Sequence, residues 1–227
     1  MITPRTIGVL GGMGPAATVD LMQRVINAVG AGDDADHVPM LVDQNPQVPS
    51  RIKALIDQTG DDPAPVLIAM AQRLQTAGAK ALVMPCNTAH HYADAIADSV
   101  DIPFLNMIHL AAKAAQKHGA VGVLGSPAIK QVSLYAKALP NALYPADQDA
   151  LLQAIRMVKM DGPTDSARAI LQAASDDLAA QGAAAQLIAC TEFSLISDAV
   201  PSPCIDTLDV LVDAIIDFSF RSDRNDG

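Results

Sequence analysis

Two signatures that each occur twice constrain the architecture of this chain. Gly8-Val9-Leu10-Gly11 returns as Gly122-Val123-Leu124-Gly125, and Val83-Met84-Pro85-Cys86-Asn87-Thr88 returns as Leu187-Ile188-Ala189-Cys190-Thr191-Glu192. The offsets, 122 against 8 and 190 against 86, differ by a loop's length, as in two diverged halves. Each copy is a short, continuously apolar run followed by a loop of small or polar residues. Such runs read as strands buried on both faces, the habit of parallel sheets covered by helices.

The rest of the chain fits that frame. Strands are expected over 6–10, 40–42, 81–84, 102–105, 120–124 and 185–189, and helices over 16–29, 65–77, 89–99, 110–117, 165–180 and 208–220. Gly78 and Gly182 stop two of the helices. Residues 221–227 read as a frayed tail. Strands alternating with helices give an α/β fold with mainly parallel sheets.

Composition narrows the function. The 227 residues are 50% apolar and carry a net charge of -10, which argues against nucleic acid and anionic membrane surfaces as partners. Trp is absent, so base-stacking platforms are not expected. No apolar run reaches the length of a membrane span, and Met1-Ile2-Thr3-Pro4-Arg5 does not resemble a signal peptide. Three cysteines fit free thiols in a reducing compartment, so a cytoplasmic location is expected.

In a parallel sheet, ligands gather at the carboxyl ends of the strands, which is where Cys86 and Cys190 fall. Facing halves place both thiols on one cleft, each before a helix start whose free N–H groups favour thiolate. Asn87, Thr88 and Thr191 add donors for a carboxylate or a developing enolate. Cys204 lacks this setting and reads as structural. Cys86, His90 and His91 have no further Cys or His nearby to complete a zinc site, so no metal is expected. His90 reads as a packing or hydrogen-bonding residue at the cleft edge, and His91 as solvent-facing.

Gly12-Met13-Gly14-Pro15-Ala16-Ala17 matches a weak dinucleotide fingerprint, with Asp43 as the acidic partner. The same loop equally serves to bring backbone close to a carboxylate. Arg51 follows the rigid Asn45-Pro46-Gln47-Val48-Pro49 loop and fits either a carboxylate clamp or a solvated surface arginine. Lys159 alone reads as an ordinary helix-end lysine.

Together these motifs resemble the aspartate/glutamate racemases, nearest to the aspartate racemases that work without pyridoxal phosphate. The resemblance rests on Gly11-Gly12-Met13-Gly14-Pro15, the Pro-containing loop before Arg51, Met84-Pro85-Cys86-Asn87-Thr88-Ala89-His90 and Cys190-Thr191-Glu192. It implies two pseudo-symmetric three-layer α/β domains, 1–103 and 104–205, with 206–227 returning to the first. It implies a site in the cleft between them, a homodimer and no cofactor. By the same resemblance Cys86 and Cys190 are the catalytic bases, and Asn87, Thr88 and Thr191 hold the α-carboxylate and amino group. Met13 contributes loop backbone, and Arg51 clamps the substrate's side-chain carboxylate. Three positions depart from the family pattern. Ala189 stands where glycine is usual, Ser126 stands in a loop that usually offers threonines, and Gly162 comes one residue late after Lys159. Ser126 and Lys159 are therefore substrate contacts by analogy of place only.

The expected reaction is interconversion of L- and D-aspartate, with one cysteine as thiolate taking the α-proton and the other as thiol returning one to the opposite face. Rival readings are glutamate racemisation, hydantoin racemisation, maleate isomerisation or arylmalonate-type decarboxylation on the same scaffold, and a non-catalytic binding protein for an acidic metabolite.

Overall fold

The computed structural model describes residues 3–201 and 203–221; the tail expected over 221–227 lies, beyond Arg221, outside them. The first half runs β1 (Ile7–Gly11), α1 (Pro15–Ala28), β2 (Met40–Gln44), α2 (Ala64–Thr76), β3 (Ala81–Val83) and α3 (Ala93–Ala97). The second runs α4 (Met107–Ala115), β4 (Val121–Gly125), α5 (Pro127–Gln131), α6 (Gln148–Asp161), α7 (Asp165–Ala180), β5 (Ala185–Ala189), α8 (Thr191–Ser194), β6 (Cys204–Asp206) and α9 (Thr207–Phe220).

The strands form two parallel three-stranded sheets, ordered β2-β1-β3 and β4-β5-β6. Two isolated parallel bridges, Leu82 with Phe104 and Gly122 with Leu143, extend them. With the bridges counted, the halves share one order: β2-β1-β3-Phe104 matches Leu143-β4-β5-β6. The strand expected over 102–105 is thus reduced to a bridge. Pro103 lacks an N–H and offers only its carbonyl, to Leu82, before Leu105 pairs back to the Leu82 carbonyl. Where the sequence reading had no strand, the equivalent segment of the second half is β6, which contains Cys204.

Every residue of β1, β3, β4 and β5 is buried, because helices cover both faces of each sheet. Leu67, Met70 and Leu74 of α2 close one face of the first sheet, and Leu21 and Val25 of α1 with Leu208, Leu211 and Ile215 of α9 close the other. Leu151 and Ile155 of α6 with Leu171 and Leu178 of α7 cover the second sheet, and α4 covers its opposite face. The C-terminal helix α9 therefore packs on the first sheet. Arg5 donates to the Phe218 carbonyl and accepts from Ser219 Oγ through its own carbonyl, which ties the first strand's approach to that helix. Among the described residues no helix is long and apolar enough to cross a membrane.

The repeated glycines have a steric cause. A Cβ on Gly8 would lie 2.7 Å from Leu82 Cδ2 and 3.2 Å from Leu74 Cβ, and one on Gly122 would lie 2.7 Å from Leu178 Cδ1. In each half a helix leucine rests directly on the strand backbone. Gly122→Val should therefore overpack this contact and destabilise the fold by about 1–3 kcal/mol, read as a lower urea midpoint. A midpoint equal to that of the parent chain would show that α7 shifts freely.

Candidate functional site

The loops that leave the carboxyl ends of five strands converge on one cavity of about 50 Å³. Met13 comes from the loop after β1, and Ser50, Arg51 and Ile52 from the loop after β2. Cys86 and Thr88 follow β3, Ser126 follows β4, and Cys190 and Glu192 follow β5. Ile155 and Lys159 reach in from α6. The two thiols, from opposite halves of the chain, thus line the same space. The cavity also gathers Met13, Arg51, Thr88, Ser126 and Lys159 from the sequence reading; it leaves out Asn87 and Thr191.

Local structure explains these placements. Gly12, at φ 92°, lets the first loop lie against Asn45, whose carbonyl carbon would be 2.4 Å from any Cβ there. Pro15 then starts α1, where its missing N–H costs nothing. Arg51 enters a short helical segment that continues as a π-turn over Lys53–Asp57, a stretch to which the sequence alone assigns no element. Its guanidinium donates to the carbonyls of Pro49 (3.0 Å), Val48 (3.3 Å) and Met13 (3.4 Å). It is therefore not a freely solvated surface residue. Among the described residues no carboxylate pairs with it. Ser126 caps α5, its Oγ accepting from Ala128 N at 3.2 Å.

The helices expected after the cysteines are short. Cys190 caps α8, a single turn, and Cys86 precedes a 3₁₀ segment over Thr88–Tyr92 that leads into α3. The side chains around each thiol differ. Cys190 Sγ donates to Glu192 Oε2 at 3.0 Å, and Glu192 Oε1 lies 3.3 Å from Lys159 Nζ. Burial is the main cause that pushes the Cys190 thiol well above its ordinary value; the Glu192 charge and hydrogen bond add to it, and Lys159 opposes them. Glu192 was not singled out from the sequence, although it stands two residues after the second cysteine.

Cys86 is held through its backbone. His90 Nδ1 lies 2.8 Å from the Cys86 carbonyl, and His90 Nε2 accepts from Met107 N at 3.1 Å. Both ring nitrogens are thus committed in the neutral form, which rules His90 out as a metal ligand here, and His91 is exposed. Burial lowers the His90 pKa from 6.5 to about 4. The unfolded chain therefore binds a proton that the folded chain does not between these values. Stability should fall by on the order of 3 kcal/mol as pH drops from 6.5 to 4. Urea titrations across that range should show the loss in the parent chain and its absence in His90→Gln; equal slopes in both would remove His90 as the cause.

Asn87 is buried next to Cys86 in a network joining three segments. Its Nδ2 donates to Thr207 Oγ1 at 3.0 Å, and its Oδ1 accepts from the fully buried Tyr135 hydroxyl at 2.7 Å. Tyr135 and Thr207 gave no sequence signal, because their roles depend on contacts 48 and 120 residues away. Thr191 is buried and faces a second cavity beside the first. Asp43, the acidic partner of the dinucleotide reading, is paired with Arg73 at 2.7 Å. Cys204 lies in β6, its thiol pushed up to about 11 by burial and by Asp206 and Asp209, in keeping with a structural residue.

Comparison with known proteins gives the family and matches the fold. The Asp/Glu/Hydantoin racemase family matches residues 10–215. The broad specificity amino-acid racemase RacX of Bacillus subtilis (strain 168) is 29% identical over 220 residues, covering 88% of this chain and 92% of the relative. Among solved structures, Picrophilus torridus aspartate racemase superposes with a TM-score of 0.84 at 29% identity, covering 95% of this chain and 94% of the other. Glutamate racemase isoform RacE1 of Bacillus anthracis shares the fold, with a TM-score of 0.68 at 19% identity over 94% of this chain and 81% of its own. The chain belongs to the Asp/Glu/hydantoin racemase family and is an enzyme of the racemase class, an isomerase.

Proposed function

We propose that this enzyme interconverts L- and D-aspartate without pyridoxal phosphate, through Cys86 and Cys190 as two opposed acid/base groups. The observation that carries the reading is the single small cavity lined by both thiols together with Arg51 and Lys159. One cysteine, as thiolate, takes the α-proton; the C–H electron pair passes into the α-carboxylate as an enediolate. The other cysteine, as thiol, returns a proton to the opposite face. The reverse reaction exchanges their roles. Positioned acid/base transfer contributes about 10²–10⁴-fold. Donors aimed at the carboxylate, and exclusion of water, supply the remainder.

In this reading Arg51 holds the side-chain carboxylate, with the backbone carbonyls around it fixing its plane, and Lys159 lends a second positive charge. Thr88, Ser126 and the Met13 loop backbone receive the α-carboxylate and amino group. Asn87 and Thr191, placed in that role by resemblance, support it from behind: Asn87 by bracing the Cys86 loop against Thr207 and Tyr135, Thr191 from the wall of the neighbouring cavity. Residues 1–103 with the C-terminal helix, and residues 104–205, act as the two closing units. The family resemblance supports a homodimer, and the free cysteines support a cytoplasmic location.

Incubating the pure protein with L-aspartate in D₂O, with no added cofactor, should yield D-aspartate and deuterium at the α-carbon. L-Glutamate should turn over more slowly. Saturable aspartate binding without deuterium uptake would replace the reading with a binding protein. NAD(P)-induced thermal stabilisation would revive the dinucleotide alternative.

A further inference from the structure

Hydrogen bonds that start beside the two cysteines end on two consecutive residues. Asn87, next to Cys86, donates through Nδ2 to Thr207 Oγ1 at 3.0 Å. Ser194 closes the single helical turn that Cys190 caps, its N–H donating to the Cys190 carbonyl at 3.2 Å. The Ser194 hydroxyl in turn donates to Asp206 Oδ1 at 2.7 Å. Asp206 and Thr207 are both buried, and neither lines the cavity that holds the thiols.

Their place in the fold gives these contacts a purpose. Asp206 ends β6 and is paired with Ile188 of β5, two residues before Cys190. Thr207 begins α9, which packs on the first sheet. The chain therefore passes here from the sheet that carries Cys190 to the sheet that carries Cys86. Asp206 Oδ1 also accepts from Leu208 N at 2.9 Å, so the carboxylate that holds Ser194 is itself fixed as the cap of α9. Arg24 of α1 joins the same junction, donating to Asp206 Oδ2 at 2.8 Å and to the Ser194 carbonyl at 3.2 Å. Its contacts with Asp20 at 3.0 Å and Asp209 at 2.6 Å hold the guanidinium in place.

We propose that Asp206 and Thr207 are positioning residues that set the two thiols against each other, one anchor tied to the Cys86 loop through Asn87 and to the Cys190 turn through Ser194. The inference rests on the two-cysteine racemase reading. Inversion needs both thiols aligned on opposite faces of one α-carbon. Exchange on one face needs a single cysteine: its thiolate takes the α-proton, the thiol so formed trades that proton for a deuteron of D₂O, and the deuteron returns to the same face. Productive geometry is held to within about 0.5 Å, and a misplacement of about 1 Å costs on the order of 10²-fold. Releasing either tie lets one cysteine drift from the other, which penalises inversion more than exchange on one face. Arg51, the substrate's side-chain clamp in this reading, stands outside both ties.

The test follows L-aspartate in D₂O with the parent chain, Thr207→Val, Thr207→Ser and Ser194→Ala. Chiral chromatography with mass detection gives the initial rates of D-aspartate formation and of deuteration of the remaining L-aspartate. The ratio of these rates does not depend on how much of a variant is folded. Thr207→Val and Ser194→Ala should each raise the ratio of deuteration to inversion about tenfold, short of the full cost of a 1 Å misplacement, with the KM for aspartate near that of the parent chain. Thr207→Ser keeps the acceptor oxygen and should restore the parent ratio. A lower kcat with an unchanged ratio in both variants marks a merely structural contact and overturns the anchor. A raised KM with an unchanged ratio marks a role in substrate binding and overturns it as well. A higher ratio in only one of the two variants overturns the sharing of one anchor by both cysteines. These outcomes leave the racemase reading standing, whereas a parent chain that neither inverts nor deuterates aspartate overturns that reading and the anchor with it.

Discussion

Replacing either Cys86 or Cys190 by serine is expected to abolish racemisation in both directions, with losses at or beyond the ~10²–10⁴-fold that positioned proton transfer contributes. A serine hydroxyl is far less acidic than a thiol and cannot supply the base. It fills nearly the same volume, so the cavity walls stay in place. The two variants should not be equivalent. Each keeps one thiol and should still exchange the α-proton of one enantiomer with D₂O, without inverting it. Which enantiomer survives in which variant assigns each cysteine to a face. Their surroundings predict a further difference. Cys190 Sγ donates to Glu192, a bond that a serine hydroxyl can also make, whereas Cys86 is positioned by its own carbonyl against His90. The exchange that survives in Cys86→Ser runs through Cys190, which burial and Glu192 make hard to ionise, so it should rise only toward high pH. Full racemase activity in either variant would end the two-base scheme.

The doubled signatures carried most of the architecture in the sequence. A glycine that admits a helix leucine onto a strand, and a cysteine at a strand's end, are local features that survive in both copies. The Phe104 bridge and β6 were harder to read, because a strand of one to three residues has no period of its own. The cysteines, Met13, Thr88, Arg51, Ser126 and Lys159 were legible as residue types in characteristic loops, and the fold brings them to one cavity. What the sequence hid was long-range pairing. Asn87 looked like a substrate donor, yet its amide is engaged by Tyr135 and Thr207. Glu192 looked like part of a signature, yet it contacts both the second thiol and Lys159. Arg51 alone fitted two readings, and only the three carbonyls around its guanidinium decide against the exposed one.

Lys159→Met should cost racemisation more than the loss of one carboxylate contact would. The Cys190 thiol is already hard to ionise, first through burial and then through the Glu192 charge, and Lys159 is the group that opposes both. Lys159 itself loses solvation, which works against its charge. The fields of Glu192, Cys190 and Cys86 outweigh that cost and raise its pKa, so it is cationic throughout any practical assay. Removing it raises the Cys190 pKa further. The limb on which activity rises with pH, in the direction that uses Cys190 as base, should therefore move to higher pH. Each pH unit of movement costs about tenfold at neutral pH, because the thiolate fraction falls by that factor. Glu192→Gln should act with the opposite sign on the same limb, since it removes a negative charge from beside the thiol. The two effects are separable from folding. Lys159→Met takes the counter-charge from the mostly buried Glu192 carboxylate and should lower the melting temperature, by less than at a fully buried pair because the Lys159 side chain is 45% exposed. The double variant Lys159→Met/Glu192→Gln should recover that stability and place the pH limb between those of the single variants. If Lys159→Met raised only the KM for aspartate and left the pH limb where it was, Lys159 would be a substrate ligand with no part in setting the thiol.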